Sequence, residues 1–352
     1  MDLAIVGMSS IGIDLYLTLK NEVAKIYLIG EENEAGMAIN GNKIFLKDDD
    51  FNHIIKIVNQ NIKNECLVYL TTDIYNDAVM QEYDNTGIWF KDNLKYIGVS
   101  YEFHNRIRDK HNYENLLSSY GVNTPQIYNL HSILEDIQLP VFSKYNGRNK
   151  ENYHYKSKLF IKQNEFEHEI KQDYTASYVY QKYYSPEEYK NYSYGCFVND
   201  GKVLADIFVR QLAQYPKGIS TLVMEDINLP IDFINSVKKL LKTEKYNGFI
   251  EFEILKGTDN IILIDINLRT WGWFSILNHK YRNFPKIVTQ VTRTPEEIKG
   301  NNRVWAKYHR LAIGTLAERT FRDLKYIKIN KSFISSIYVV SLFIRNGFRG
   351  RF

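Results

Sequence analysis

Gly248-Phe249-Ile250-Glu251-Phe252-Glu253-Ile254-Leu255 and, after a polar interruption, Ile261-Ile262-Leu263-Ile264-Asp265-Ile266-Asn267-Leu268-Arg269 decide how this chain is read. Apolar and polar residues alternate in both runs, so residues 248–255 and 260–266 are expected as strands joined at Lys256-Gly257-Thr258-Asp259. Alternation places Glu251 and Glu253 on one face of their strand, and Asp265 and Asn267 on one face of theirs. Hard oxygen donors on neighbouring strands are what a magnesium ion carrying a nucleotide triphosphate requires. Arg269, two positions on, has the charge to reach a phosphoryl or carboxylate oxygen. A solvated hairpin face would carry the same pattern, so a second, independent signal is needed.

Two lysines supply it. Lys110 stands early in a helical pattern over residues 106–120, closed by Gly121 and by Val122-Asn123-Thr124-Pro125. Lys144 ends the short strand pattern Leu139-Pro140-Val141-Phe142-Ser143-Lys144. Two separated lysines act as point charges on a nucleotide's phosphates, although either alone is equally at home on a surface.

Working outward, residues 3–7, 25–30 and 66–70 read as buried strands, with a helical pattern after the first, which gives a β-α-β opening. Gly7 and Gly12 match part of a dinucleotide fingerprint, but a third glycine is missing and no acid closes the second strand at Ile29-Gly30. A tight turn in a scaffold lobe is the expectation there. Thr71-Thr72-Asp73, at the carboxyl end of the third strand, is either a substrate edge or a helix N-cap. The polar stretch 145–158 reads as a loop. Residues 178–184 form a strand, 192–198 and 202–210 pair around Asn199-Asp200-Gly201, and 231–241 is a helix.

At 352 residues the chain exceeds what one core supports, so several lobes are expected. A net charge of +4, evenly spread, argues against nucleic acid as the partner. Cys66 and Cys196 lie in unlike apolar contexts and read as reduced core thiols, which suits the cytoplasm. The strand at residues 3–7 is too short and lacks the basic flank of a secretory leader.

Taken in order, these motifs resemble the ATP-grasp superfamily over residues 109–277. They are Asp109-Lys110, residues 121–125, residues 139–144, Tyr180-Gln181-Lys182-Tyr183-Tyr184 with Glu188, Arg210, Glu251-Phe252-Glu253 and Asp265-Ile266-Asn267-Leu268-Arg269. The resemblance implies an α/β chain, α+β in its nucleotide-binding lobes, with an N-terminal Rossmann-like lobe at 1–104, a small lobe at 105–185, a large lobe with the metal site at 186–320 and a basic tail at 321–352. It implies ATP and Mg2+, with Mn2+ as an alternative ion. Lys110 and Lys144 would hold phosphates, Gln181, Tyr183 and Tyr184 would flank adenine, and Glu188 would hold the ribose. Glu253, Asp265 and Asn267 would bind the metal, while Arg210 and Arg269 would steady the transferred phosphoryl group. The implied activity is a carboxylate-amine ligase forming a C–N bond through an acyl phosphate. An ATP-binding scaffold without catalysis is the alternative.

The chain departs from the family pattern in its flap, which has Gly147 with Arg148, Lys150, His154, Lys156 and Lys158 rather than many glycines. Gln181, Asp265 and Leu268 also replace commoner residues. The flap and Asn267-Leu268-Arg269 are similar to the D-aspartate ligase branch, whereas Thr270-Trp271-Gly272-Trp273 is similar to proteins encoded with surface-polysaccharide genes. The implied substrates are therefore an amino acid, a peptide or a cell-surface glycan precursor, with a homodimer as the expected assembly. Residues 333–352, apolar and then arginine-rich, read either as a helix packed on the scaffold or as a peripheral contact with the inner membrane face.

Overall fold

The computed structural model describes residues 1–128, 138–146, 153–300 and 302–318, together with 336, 337 and 340. Three sheets organise the described residues. The first is wholly parallel, with strand order β3-β2-β1-β4-β5, made from β1 (Asp2–Val6), β2 (Ile26–Glu31), β3 (Asn42–Leu46), β4 (Cys66–Leu70) and β5 (Leu94–Tyr96). β1 and β4 are buried at every position, as a parallel strand covered on both faces must be.

The expected turn in this lobe has a physical cause. α1 (Ser10–Leu19) follows Gly7, whose φ of +95° lies in the region open to glycine, and a Cβ at Gly12 would stand 2.2 Å from the Gly7 carbonyl oxygen. β2 runs one residue beyond the sequence reading, to Glu31, so an acid does close that strand. Yet Glu34 Oε2 accepts from the Met8 amide at 2.8 Å, and the Thr71 hydroxyl donates to the Gly7 carbonyl at 2.6 Å. The donors a pyrophosphate would need at the switch point between β1 and β4 are thus spent inside the protein.

The second sheet is small and antiparallel, ordered β7-β6-β8, from β6 (Val141–Tyr145), β7 (Ser157–Phe160) and β8 (Tyr178–Lys182). Part of the stretch read as a loop is therefore strand, paired Val141 to Phe160 through Lys144 to Ser157. Gly147, Arg148 and Lys150 lie outside the described residues, as does nearly all of the basic tail.

The third sheet has six antiparallel strands, ordered β13-β12-β9-β10-β11-β14. They are β9 (Lys190–Asn199), β10 (Lys202–Gln214), β11 (Ser220–Glu225), β12 (Gly248–Lys256), β13 (Ile261–Asn267) and β14 (Val304–Ala306). One face packs, through Phe197, Ile207, Val209 and Phe249, into a core shared with α1 and with Leu3, Ile5 and Tyr69 of the first sheet. The other face packs Tyr194, Phe208 and Phe252 against the helix Ile231–Thr243 and against α4 (Tyr101–Arg108) and α5 (Lys110–Ser118).

α4 and α5 correct the single helix expected over 106–120. Asp109 is extended (φ −81°, ψ 101°), and its carboxylate accepts from the His111 amide at 3.0 Å, so the chain breaks and restarts at Lys110. Gly121 closes α5 in the left-handed conformation, as its position implied. Cys66 and Cys196 are free and buried. Among the described residues no helix is long and apolar enough to cross a membrane.

Candidate active site

The register of the third sheet brings the four polar residues of the opening stretch together. Glu251 pairs with Asn267 and Glu253 with Asp265, so all four share one face at the carboxyl end of β13. Asn267 Nδ2 donates to Glu251 Oε2 at 3.0 Å and to Glu253 Oε1 at 2.9 Å. The indole N–H of Trp273 donates to Glu251 Oε1 at 2.8 Å. Trp273 was legible as part of an aromatic motif but not as a partner of the carboxylates. Gly195 explains how the tryptophans fit: a Cβ there would stand 2.5 Å from the Trp271 ring.

Both lysines arrive from outside the third sheet. Lys110, the first residue of α5, places Nζ 2.7 Å from Asp265 Oδ1. Lys144, on β6 of the small sheet, donates to the Ile264 carbonyl at 2.9 Å. That carbonyl is free because the β12–β13 pairing shifts between Glu253 and Ile254, leaving Ile264 unpaired in the ladder. Lys156 adds a third positive charge acting on Asp265 and on Lys144. It was noted in the flap, and nothing in the spacing singled it out.

Electrostatics divide the acids. Burial, followed by the charge of Glu253, pushes the Glu251 carboxyl up to about 7. Burial and then Asp265 raise Glu253 likewise. Burial alone would raise Asp265 too, but Lys110 and Lys144 overcome it and hold that carboxyl well below the usual range. Burial lowers the Lys144 ammonium despite the Asp265 charge. Crowded carboxylates beside concentrated ammonium groups form a place for a cation and an anion side by side.

The donor set fits a hard divalent ion. Glu253 and Asp265 present oxygen donors side by side, and Asn267 would add its oxygen by turning over the amide that now points Nδ2 at the glutamates. A cation would relieve the repulsion that adds to burial in raising Glu251 and Glu253. No three His, Cys, Asp or Glu side chains among the described residues form a ready cage. Magnesium, which keeps several waters and takes phosphate oxygens, needs none.

Arg269 and Arg210 part company. Arg269 NH2 lies 2.9 Å from Asp73 Oδ2 and 3.4 Å from Asn267 Oδ1, while NH1 donates to the Thr270 carbonyl at 3.0 Å. Asp73 opens α3 (Asp73–Thr86), and Thr72 caps that helix by accepting from the Tyr75 amide at 3.4 Å. The N-cap reading of this edge therefore holds for Thr72, while Asp73 is engaged by Arg269. Arg210 pairs across the sheet with Tyr192 and Met224, whereas Glu253 pairs with Ser193, which pairs with Val209. Arg210 thus belongs to the opposite face, exposed beside Tyr192 and Phe208, and the structure does not bring it to the carboxylates.

Gln181, Tyr183, Tyr184 and Glu188 sit where the small sheet hands over to the large one. Gln181 is buried on β8, opposite Phe142 and bridged to Ile127. The Tyr183 ring lies 6.4 Å from that of Phe142, and Tyr184 packs edge-on against Tyr189 at 5.0 Å. Glu188 is exposed in the turn leading into β9.

No family model and no curated protein matches this chain. Solved structures do. The ADP complex of the N5-carboxyaminoimidazole ribonucleotide synthetase purK superposes with a TM-score of 0.66 at 13% identity, covering 98% of this chain and 97% of its own. The chain has the ATP-grasp fold. The biotin carboxylase of Campylobacter jejuni, solved as a β,γ-ATP complex, matches at 0.64 with 13% identity over 85% of this chain and 72% of that one. The L-amino acid ligase of Bacillus licheniformis matches at 0.59 with 15% identity, covering 84% and 75%. An ATP-grasp fold of this form accounts for the three-sheet plan.

Proposed function

We propose that this ATP-grasp chain is an ATP-dependent ligase that activates a carboxylate as an acyl phosphate and passes the acyl group to an amine. The observation that carries this reading is the convergence of Lys110, from α5, and Lys144, from β6, on Asp265 and the Ile264 carbonyl beside Glu251, Glu253 and Asn267. Similarity in fold to an ADP-bound synthetase and to a biotin carboxylase in a β,γ-ATP complex supports nucleotide use, and similarity to an L-amino acid ligase supports ligation.

In this reading the lysines bind the β- and γ-phosphates of ATP. Glu253, Asp265 and Asn267 hold magnesium, which when bound neutralises charge on the phosphates. The nucleotide base lies against Gln181, Tyr183 and Tyr184, with Glu188 towards the ribose. A carboxylate oxygen of the first substrate attacks the γ-phosphorus, the bond from that phosphorus to the β–γ bridging oxygen breaks, and ADP leaves. The amine nitrogen then attacks the acyl carbon, phosphate departs and the amine gives up a proton. Arg269 stabilises the negative oxygens that develop in both steps. The substrate belongs to the amino acid, peptide or cell-surface glycan precursor class.

The test is ADP release by the full chain with ATP and Mg2+ over matched pools of carboxylates and amines, with products identified by mass. Release that needs both partners, and a hydroxamate when hydroxylamine replaces the amine, supports the acyl phosphate route. Nucleotide binding without ADP release over the whole pool overturns it in favour of a scaffold.

A further inference from the structure

A cavity of about 400 Å³ opens on the seam between the first lobe and the large lobe, and none of the nucleotide or metal residues lines it. Its wall is Tyr83, Trp89, Tyr96 and Tyr101, all half-buried. Their rings form a continuous edge-to-face run. Tyr101 meets Tyr83 at 5.1 Å and 71°, Tyr83 meets Trp89 at 5.0 Å and 75°, and Trp89 meets Tyr96 at 5.6 Å and 85°.

The volume falls within the range of small-molecule sites, which are apolar or aromatic hollows with a few polar groups at the edge. Ser100, Glu102, Lys245 and Asn247 supply that edge. Charge at the site is largely balanced. Glu244 pairs with Arg106, Tyr101 donates its hydroxyl to Asp84, and Glu102 and Lys245 carry opposite signs. An uncharged ring gains stacking with such a wall, while an organic cation finds no surplus of negative charge to favour it.

Of four tryptophans, Trp271, Trp273 and Trp305 are at most 1% exposed, and Trp89 alone keeps part of its surface open, into this hollow. The seam beside the cavity is tightly packed. Gly248, with φ +100°, would bring a Cβ within 3.0 Å of the Ile97 carbonyl. The hollow is therefore bounded by close backbone contact and not by a loose joint.

We infer that this cavity is a binding site for a neutral, planar aromatic ring, distinct from the nucleotide site. The occupant stacks on Trp89, meets Tyr96, which stands at 85° to that ring, edge-on, and presents its polar edge to Ser100 and Asn247. Tyr96 also donates its hydroxyl to Asn76 Oδ1 at 3.2 Å, and Asn76 donates to the Leu268 carbonyl at 3.0 Å, one residue before Arg269. Two hydrogen bonds thus connect the wall of the cavity to the residue before Arg269.

Calorimetric titration of the full chain with p-cresol, free of nucleotide, tests the inference, with tryptophan fluorescence followed in parallel to report Trp89. Cyclohexanol serves as the non-aromatic control. Saturable binding at one site is expected, preferring p-cresol over cyclohexanol. Tyr101→Ala removes a wall and Glu102→Trp fills the mouth, and each should weaken binding roughly tenfold while ATP affinity stays unchanged. Non-saturable uptake, equal affinity for cyclohexanol, or undiminished binding in Glu102→Trp would overturn it. Glu102 is exposed on α4, so that variant keeps the test sound should Tyr101→Ala fold poorly.

Discussion

Lys110 Nζ lies 2.7 Å from Asp265 Oδ1, joining the start of α5 to the end of β13 across 155 positions of chain. The ammonium of one element thereby neutralises the carboxylate of another, and in the proposed function a nucleotide and its metal would take over both partners. Asp265→Asn keeps the size of the side chain and removes its charge. ADP release should fall roughly 100-fold or more, the loss typical of removing one electrostatic contributor to a transition state. Circular dichroism should stay native, and a rate close to wild type would remove Asp265 from the metal site.

Arg269→Ala and Arg210→Ala should separate cleanly. The first removes the guanidinium beside Asn267 and Asp73, with a loss of order 10² in kcat. The second lies on the opposite face of the sheet and should leave steady-state kinetics close to wild type. Equal losses in the two variants would contradict the register argument.

Trp273→Phe deletes the indole N–H that favours the ionised form of Glu251, whose carboxyl already stands at about 7. Its affinity for a proton should rise further. If the ionised form serves metal binding, activity is lost as pH falls through that value, so the acid limb of kcat/KM for ATP should move to higher pH in the variant. An unmoved limb would show that Glu251 does not govern it.

The Lys307–Asp14 pair, 2.8 Å apart and almost wholly buried, ties the segment after β14 to α1. Lys307→Met leaves Asp14 charged and unpaired, with an expected loss of about 3–5 kcal/mol in urea unfolding. The double variant Asp14→Leu/Lys307→Met should recover most of it, since a buried pair is often worth no more than apolar packing. A double variant as unstable as the single one would assign the loss to packing.

Burial raises the Glu34 carboxyl from 4.5 to about 7, against the hydrogen bond from Met8. Between those values the folded chain holds a proton that the unfolded chain has released. Stability from this group is therefore present at low pH, falls as pH rises from 4.5 towards 7, and is level above 7. Glu34→Gln keeps an acceptor for the Met8 amide and should raise the melting temperature at pH 8 more than at pH 4.5. A uniform shift across pH would rule out this linkage.

Features that depend on neighbours along the chain were written in the amino-acid order. Alternation put Glu251 with Glu253 and Asp265 with Asn267, Gly121 ended its helix, and the order of motifs pointed to the ATP-grasp plan before any coordinates. These signals are local, because the period of a strand and the conformation of a cap are fixed within a few residues. Tertiary structure decided the rest. Whether two strands show their polar residues on the same face depends on register, and a step of one residue separates Arg210 from Val209 and so from the site. The break at Asp109, the unpaired Ile264 carbonyl that receives Lys144, and the Asp73–Arg269 contact likewise join segments far apart in sequence or override local helix preference. Such contacts are set by how whole lobes pack, and a local pattern carries no record of them.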